Sequence, residues 1–101
     1  MIANAARGEA VLRLENTAHL LRPSFAALVA AEEELGPLFA LVDRAAEGRL
    51  ALAEMIGLFW HCLDNRDGIL RSDFGDAVLM RGLAAATPVL KILLTQILAG
   101  R

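Results

Sequence analysis

The chain has 101 residues, which is the length of one domain. Hydrophobic residues make up 56% of it and its mean hydropathy is +0.49, and these values exclude a disordered chain. Ten Lys and Arg residues against twelve Asp and Glu residues give a net charge of −2, and because no basic block is present the charge pattern predicts no nucleic-acid partner.

Residues 1–8 are the first predicted segment, a loose leader. They lack the apolar stretch of a secretory signal, and no uncharged apolar run in the chain reaches the roughly 18 residues that would suggest a membrane span. Cys62 is the only cysteine, so no disulfide can form within the chain, as is common in a reducing compartment. We therefore predict a cytoplasmic protein with no membrane partner that folds as a single domain over residues 1–101.

Residues 9–22 are predicted to form a β-hairpin. Leu12 and Leu14 are separated by one polar residue, which is the period of a strand with one buried face. Asn16 and Thr17 supply turn residues between the two strands. An isolated hairpin is only marginally stable in water, so we expect this one to pack on the rest of the chain.

Residues 24–99 are predicted to be a helical region, because apolar residues recur there at the helical period. Ser24 is predicted to cap the first helix and Gly36 to end it. The predicted buried stripe of this helix contains Phe25, Leu28, Val29, Glu32 and Leu35. The clearest stripe belongs to the third helix and contains Leu52, Met55, Ile56, Phe59, Trp60 and Leu63. The predicted fold class is α+β, mainly α-helical, with an N-terminal β-hairpin packed on about five short helices.

The last predicted helix has clear signals at both ends. Thr87 is predicted as its N-cap, Pro88 as its first residue and Gly100 as the residue after its end. Its predicted core stripe contains Leu90, Leu93, Leu94 and Ile97. A helix that is apolar on more than one side must be buried on more than one side. The apolar residues beside the stripe are therefore predicted to face a partner protein, and they are Val89, Ile92 and Leu98.

No motif in the chain indicates catalysis or metal binding. Residues 64–68 resemble part of a calcium loop, but the oxygen ligands required at the first and last positions of that loop are missing. His61 and Cys62 are helical neighbours that point apart, which opposes a Cys–His nucleophilic pair. Together with His19 they lack the spacing of a zinc site. We therefore predict that the protein is not an enzyme and binds no cofactor, metal or small-molecule substrate.

Two further residues have both a structural and a functional interpretation. Glu32 lies on the predicted apolar stripe of the first helix, where a carboxylate needs a partner. Arg22 is the candidate for a structural ion pair with it, and a contact with a partner chain is the alternative. Trp60, beside Phe59, is either a core residue or part of a partner-binding site.

Several stretches in combination carry a family resemblance. They are residues 21–28 with Glu32 and 35–36, residues 58–63 around Trp60, and residues 74–78, 82–88 and 97–100. With these stretches the chain resembles the gene transfer agent family of small phage-tail proteins, which are similar to the tail assembly chaperones of long-tailed phages. The chain departs from the family at Asn16 and Thr17, where a glycine is more usual.

The resemblance implies a non-enzymatic role in the assembly of a phage tail. Chaperones of this kind bind the long helical tape-measure protein and recruit tail-tube subunits before the tube polymerises, and they are left out of the finished particle. The alternative within the family is a structural tail-tube component, which would be located in the particle. Either role is compatible with a homo-oligomer.

An alternative from another class is a small helical DNA-binding regulator, with residues 72–83 as its recognition helix. The cations there are Arg71 and Arg81, and they lie beside Asp73 and Asp76. Because phosphate binding depends on uncompensated positive charge, we expect the affinity of such a helix for DNA to be poor.

Overall fold

The computed structural model describes residues 9–99. As predicted, the fold is α+β and mainly helical, with an N-terminal hairpin followed by helices. The elements are β1 (Ala10–Leu14), β2 (Thr17–Leu21), α1 (Phe25–Leu35), α2 (Leu38–Ala46), α3 (Leu52–Cys62), α4 (Arg71–Arg81) and α5 (Leu83–Ala99). The predicted leader and the predicted helix stop at Gly100 lie outside the described residues.

The hairpin has a tight two-residue turn. The strands β1 and β2 are antiparallel, with Leu14 opposite Thr17, so the turn consists of Glu15 and Asn16. Both turn residues have positive φ, 48° and 67°, which is the geometry of the type I′ turns that match strand twist. The predicted turn at Asn16 and Thr17 is therefore one residue too late. The error arose because Glu15 rarely adopts a left-handed conformation and gives no turn signal.

The end of α3 pairs with the free edge of β2. Leu21 forms an isolated antiparallel bridge with Leu63. The Arg22 N–H donates to the Cys62 carbonyl at 2.7 Å, and the Asp64 N–H donates to the Leu20 carbonyl at 2.9 Å. These bonds satisfy backbone groups that an edge strand would otherwise expose, and they anchor the hairpin to the helices.

One hydrophobic cluster joins the hairpin to the helices. Leu12 and Leu14 of β1 are buried, as their alternation predicts, and Arg13 between them is exposed. The largest completely buried side chains come from both strands and four of the helices and include Phe59, Leu12, Leu21, Leu41, Leu58, Leu93 and Val78. The hairpin therefore packs its apolar face on the helical region, as expected for a two-stranded sheet.

The predicted buried face of α1 is only partly correct. Phe25 is 86% exposed, and Ala31 is the residue of α1 that is fully buried. Leu28 and Leu35 pack on the core beside Ala31. The buried face is rotated towards Ala27 and Ala31, whose small side chains pack on the core. The predicted caps are confirmed, since the Ser24 hydroxyl accepts from the Ala27 N–H at 3.2 Å and Gly36 ends the helix with φ 87°.

The last helix begins five residues earlier than predicted, at Leu83 instead of Pro88. Gly82, with φ 99°, ends α4, and α5 starts at Leu83. Thr87 is not an N-cap, because its hydroxyl donates to the Leu83 carbonyl at 2.9 Å inside the helix. Pro88 is likewise inside α5. Alanines at 84–86 are strong helix formers, and they extend the helix past the signal that a Thr-Pro pair gives.

Among the described helices, none is by itself long and apolar enough to cross a membrane. Helices α4 and α5 meet the length and composition criteria together, but they are bent by 113° at the break between them.

Candidate interaction surface

The three apolar residues predicted to face a partner differ in exposure. Val89 is only 8% exposed and belongs to the core, so its prediction as a partner-binding residue is wrong. The earlier start of α5 does not alter the helical phase, but β1 packs on α5, and its residues Val11 and Leu12 lie beside Val89. Ile92 and Leu98 are 46% and 60% exposed. Six residues apart, they lie about 120° apart around the helix axis and do not form one face.

Trp60 is half-buried and joins two helices. Its ring lies 6.0 Å from the ring of Phe74 in α4. The guanidinium of Arg66 lies 5.7 Å from the centre of the Trp60 ring, within cation–π range. These contacts give Trp60 a packing role at the α3–α4 junction, and its role in partner binding stays a prediction.

Glu32 and Arg22 have different partners from those predicted. The Glu32 carboxylate is exposed and accepts from the Leu38 N–H at 3.0 Å, so it caps the start of α2. Arg22 instead contacts Glu9 at 3.2 Å and Asp64 at 3.4 Å. The predicted pair fails because the stripe that contained Glu32 is not the buried face of α1.

A polar cluster ties α1, α3 and α4 together. Arg71 donates to both carboxylate oxygens of Glu34, with Nη1 at 2.7 Å from Oε1. His61 Nε2 donates to the same Oε1 at 2.8 Å. The Arg71 guanidinium, and next the His61 ring, lower the pKa of Glu34 to about 2. Three helices thus share one carboxylate, and no local pattern could indicate this pairing because the residues are 27 and 37 positions apart.

The Glu34 cluster makes a pH-dependent contribution to stability. The pKa of Glu34 falls from 4.5 to about 2 on folding, so its contribution is present above pH 4.5 and is lost as the pH falls towards 2. Glu34→Gln should lower the free energy of unfolding by about 1 kcal/mol at pH 7, a figure kept small because solvent screens this partly exposed side chain. Urea unfolding of the variant and the parent at pH 7, 4 and 2.5 should show that the difference between their free energies of unfolding becomes smaller as the pH falls.

Glu33→Gln is the matched control, since Glu33 is the exposed neighbour on the same helix. It should change stability little at any of these pH values. A Glu34→Gln effect that stays constant between pH 7 and 2.5 would contradict the cluster's role.

Chemical reactivity is low at the residues considered for catalysis. Cys62 is buried, and burial raises the pKa of its thiol to about 12, so it is not a nucleophile at neutral pH. Within residues 9–99, no three His, Cys, Asp or Glu side chains are grouped as a metal ion would require. In the loop at 64–68, the Asn65 side chain accepts from the Asp67 N–H at 2.9 Å, as in a polar turn.

Two grooves flank α4. The first, the α3–α4 groove, has a volume of about 340 Å³, and its lining residues are Leu52, Ala53, Ile56, Arg71, Ser72, Gly75, Asp76 and Leu79. Leu52 and Leu79 are both about half exposed, on opposite helices. Apolar side chains on two sides of an open groove form a surface that a partner can cover.

The second groove, the hairpin–α4 groove, is larger and has a volume of about 630 Å³. Its apolar lining comes from the hairpin, the loop before α4 and α4 itself and contains Leu14, Ile69, Leu70, Phe74, Ala77 and Met80. Its carboxylates are Glu15, Asp67, Asp73 and Asp76. Asp76 therefore lies between the two grooves.

A comparison with protein families decides the identity of the chain. The family model described as phage tail tube protein, GTA-gp10, matches residues 7–100. The chain belongs to this family. No curated protein and no solved structure matched the chain.

Membership in the phage tail tube protein, GTA-gp10 family confirms the resemblance to gene transfer agent and phage-tail proteins. It gives the chain a structural or assembly role related to a phage tail. The two grooves beside α4 are therefore taken as the candidate interaction surface.

Sequence reasoning missed the surface of α4, although a signal was present. Residues 77–80 are four consecutive apolar residues, Ala-Val-Leu-Met. Successive residues of a helix are about 100° apart, so such a run cannot be buried on one face. Val78 is buried, whereas Leu79 and Met80 are exposed and line different grooves.

The charges on α4 oppose the DNA-binding alternative. Arg71 is engaged by Glu34, and the exposed Asp73 and Asp76 lie along the same helix. A phosphate backbone would therefore meet carboxylates next to the remaining cation, Arg81, which disfavours binding.

Proposed function

We propose that this family member is a tail assembly chaperone, a non-enzymatic cytoplasmic protein that binds the tape-measure protein and tail-tube subunits before the tube forms. The α3–α4 groove is the observation that carries the proposal. Membership in a phage-tail family supports the setting, and the apolar walls of the groove support the mode of binding.

The groove suits an apolar helix face. Leu52 on α3 and Leu79 on α4 border it, and the half-buried Ile56 lies between the two helices. Covering such side chains contributes about 25 cal/mol per Å² of apolar surface removed from water. Amphipathic helices commonly bind in grooves of this kind through residues spaced one turn apart.

A tape-measure protein, as the resemblance describes it, is long and helical and needs protection of its apolar faces until the tube surrounds it. A small protein with an open apolar groove provides that protection without chemistry. The inert thiol of Cys62 is consistent with a role that requires no reactive group.

The second candidate function is a structural tail-tube component. The family description, phage tail tube protein, favours it. A tube component must remain in the particle and must contact further copies of itself, whereas a chaperone is released.

The test of the proposal is co-expression of the chain with the tape-measure protein of the same phage or gene transfer agent. We expect a soluble complex that co-purifies by size-exclusion chromatography. Leu79→Glu places a charge in the α3–α4 groove and should reduce recovery of the complex by about tenfold or more. Phe39→Glu is the matched control, because Phe39 is an exposed apolar residue that lines neither groove, and it should leave recovery unchanged.

Mass spectrometry of purified particles separates the two candidates. A chaperone is expected in the soluble complex and absent from particles. Recovery of the chain from particles at a stoichiometry comparable with tube subunits, with no soluble complex, would overturn the chaperone proposal in favour of the tube component.

A further inference from the structure

We propose that the hairpin–α4 groove binds a basic amphipathic segment of a partner protein, with apolar side chains in the groove and Lys or Arg side chains on its rim. This inference concerns a different groove from the one that carries the proposed function, and it stands or falls separately. The proposal defines the partner segment by its chemistry, which is apolar on one side and basic on the other.

The apolar part of the groove has a buried base and exposed walls. Leu14 and Phe74 are each 2% exposed and form the base. Leu70 and Met80 also line the groove but are 67% and 83% exposed. Large apolar side chains left in water beside a groove of about 630 Å³ form a surface that gains stability when an apolar group enters.

Met80 makes this surface adaptable. The Met side chain is flexible and polarizable, and Met is over-used at surfaces that accept varied apolar partners. Leu70 lies ten residues earlier, at the N-cap of the same helix, so the two exposed side chains offer separate apolar contacts along the groove.

The charged residues that line the groove are all acidic. Glu15, Asp67, Asp73 and Asp76 line it, and all four are exposed. Its lining contains no Lys or Arg, and within residues 9–99 none of these four carboxylates takes part in an ion pair. Carboxylates that share a groove repel one another, and cations from a partner would relieve that repulsion.

Charge complementarity therefore selects the occupant. Four carboxylates disfavour an acidic segment and favour one with Lys or Arg beside its apolar residues. A second copy of this chain matches poorly, because its cations are scattered singly and Arg22, Arg44 and Arg71 already contact acids of their own chain. The partner segment is thus expected to be apolar on one side and basic on the other.

Binding of two synthetic peptides tests the inference. Both would be amphipathic helices of about 18 residues with a Leu face, one with Lys and the other with Glu at every polar position. Fluorescence anisotropy with the intact chain should show binding of the Lys peptide, with an affinity at least about tenfold higher than that of the Glu peptide. Raising the salt concentration should weaken the binding of the Lys peptide.

Two double variants separate the groove from general charge attraction. Asp67→Lys with Asp73→Lys changes the groove, and Glu33→Lys with Asp43→Lys changes net charge equally at exposed sites that line neither groove. We expect the first to lose about tenfold or more in affinity for the Lys peptide and the second to lose far less.

A third variant, Met80→Ser, tests the apolar part. The side chain is largely exposed, so the fold should be unchanged by circular dichroism while affinity for the Lys peptide falls several-fold. The inference is overturned by equal binding of the two peptides, by equal losses in the two double variants, or by full affinity in Met80→Ser. Concentration-dependent self-association that the groove double variant abolishes would identify a second copy as the occupant and would also overturn it.

Discussion

Phe59→Ala is expected to lower the free energy of unfolding by about 3–5 kcal/mol. Phe59 is completely buried in the cluster that joins the hairpin to the helices, and it is the largest such side chain. Removing its ring loses the burial of the apolar surface and leaves a cavity. Because a domain of this size is stabilised by roughly 5–15 kcal/mol, the urea midpoint followed by circular dichroism should fall markedly.

Phe25→Ala is the matched control, since it removes the same ring from a site that is almost fully exposed. We expect it to change stability by no more than about 0.5 kcal/mol. Similar losses in the two variants would contradict the assignment of Phe59 to the core and of Phe25 to the surface.

Gly57→Val is expected to destabilise the chain by about 1–3 kcal/mol through overpacking. A Cβ atom at Gly57 would lie 3.0 Å from Arg71 Nη2 and 3.0 Å from Leu35 Cδ2. The branched side chain therefore has to displace the ends of the Arg71 and Leu35 side chains, and it disturbs the contact between Arg71 and Glu34. Urea unfolding measures the loss.

Gly75→Val controls for the change of glycine to a β-branched residue within a helix. A Cβ there would lie 3.7 Å from the Ile56 side chain, which is an ordinary contact. We expect stability within about 0.5 kcal/mol of the parent. If Gly57→Val were as well tolerated as Gly75→Val, the close packing of the Arg71 and Leu35 side chains around Gly57 would be disproved.

Local patterns predicted the elements of the fold but not all their faces. The alternation around Leu12 and the helical periods after Ser24 were sufficient for the hairpin and the helices. The buried face of α1 was predicted only in part, because Ala31 packs closely while giving little hydrophobic signal. The start of α5 was wrong because the Thr87 hydroxyl can bond within a helix as well as at its end.

The candidate site was harder to predict, because it depends on packing between distant segments. Ile92 and Leu98 are exposed as expected, but Val89 is buried beside β1, whose position the helix sequence does not encode. The hairpin–α4 groove combines residues from 14 to 80, so no local window contains it. The cluster around Glu34 is likewise formed by three helices that meet only in the folded chain.

The pairing of β2 with the end of α3 has a consequence for synthesis on the ribosome. The edge of the hairpin forms hydrogen bonds with Cys62 and Asp64. The ribosome adds these two residues about forty residues after β2. The side of β1 that lies beside Val89 cannot be packed until α5 has been synthesised. Since contacts distant in sequence form only after both segments exist, a nascent chain that ends before α5 lacks the partners that hold its first strands in place. The native packing of the hairpin is thus completed only after α5 has been synthesised.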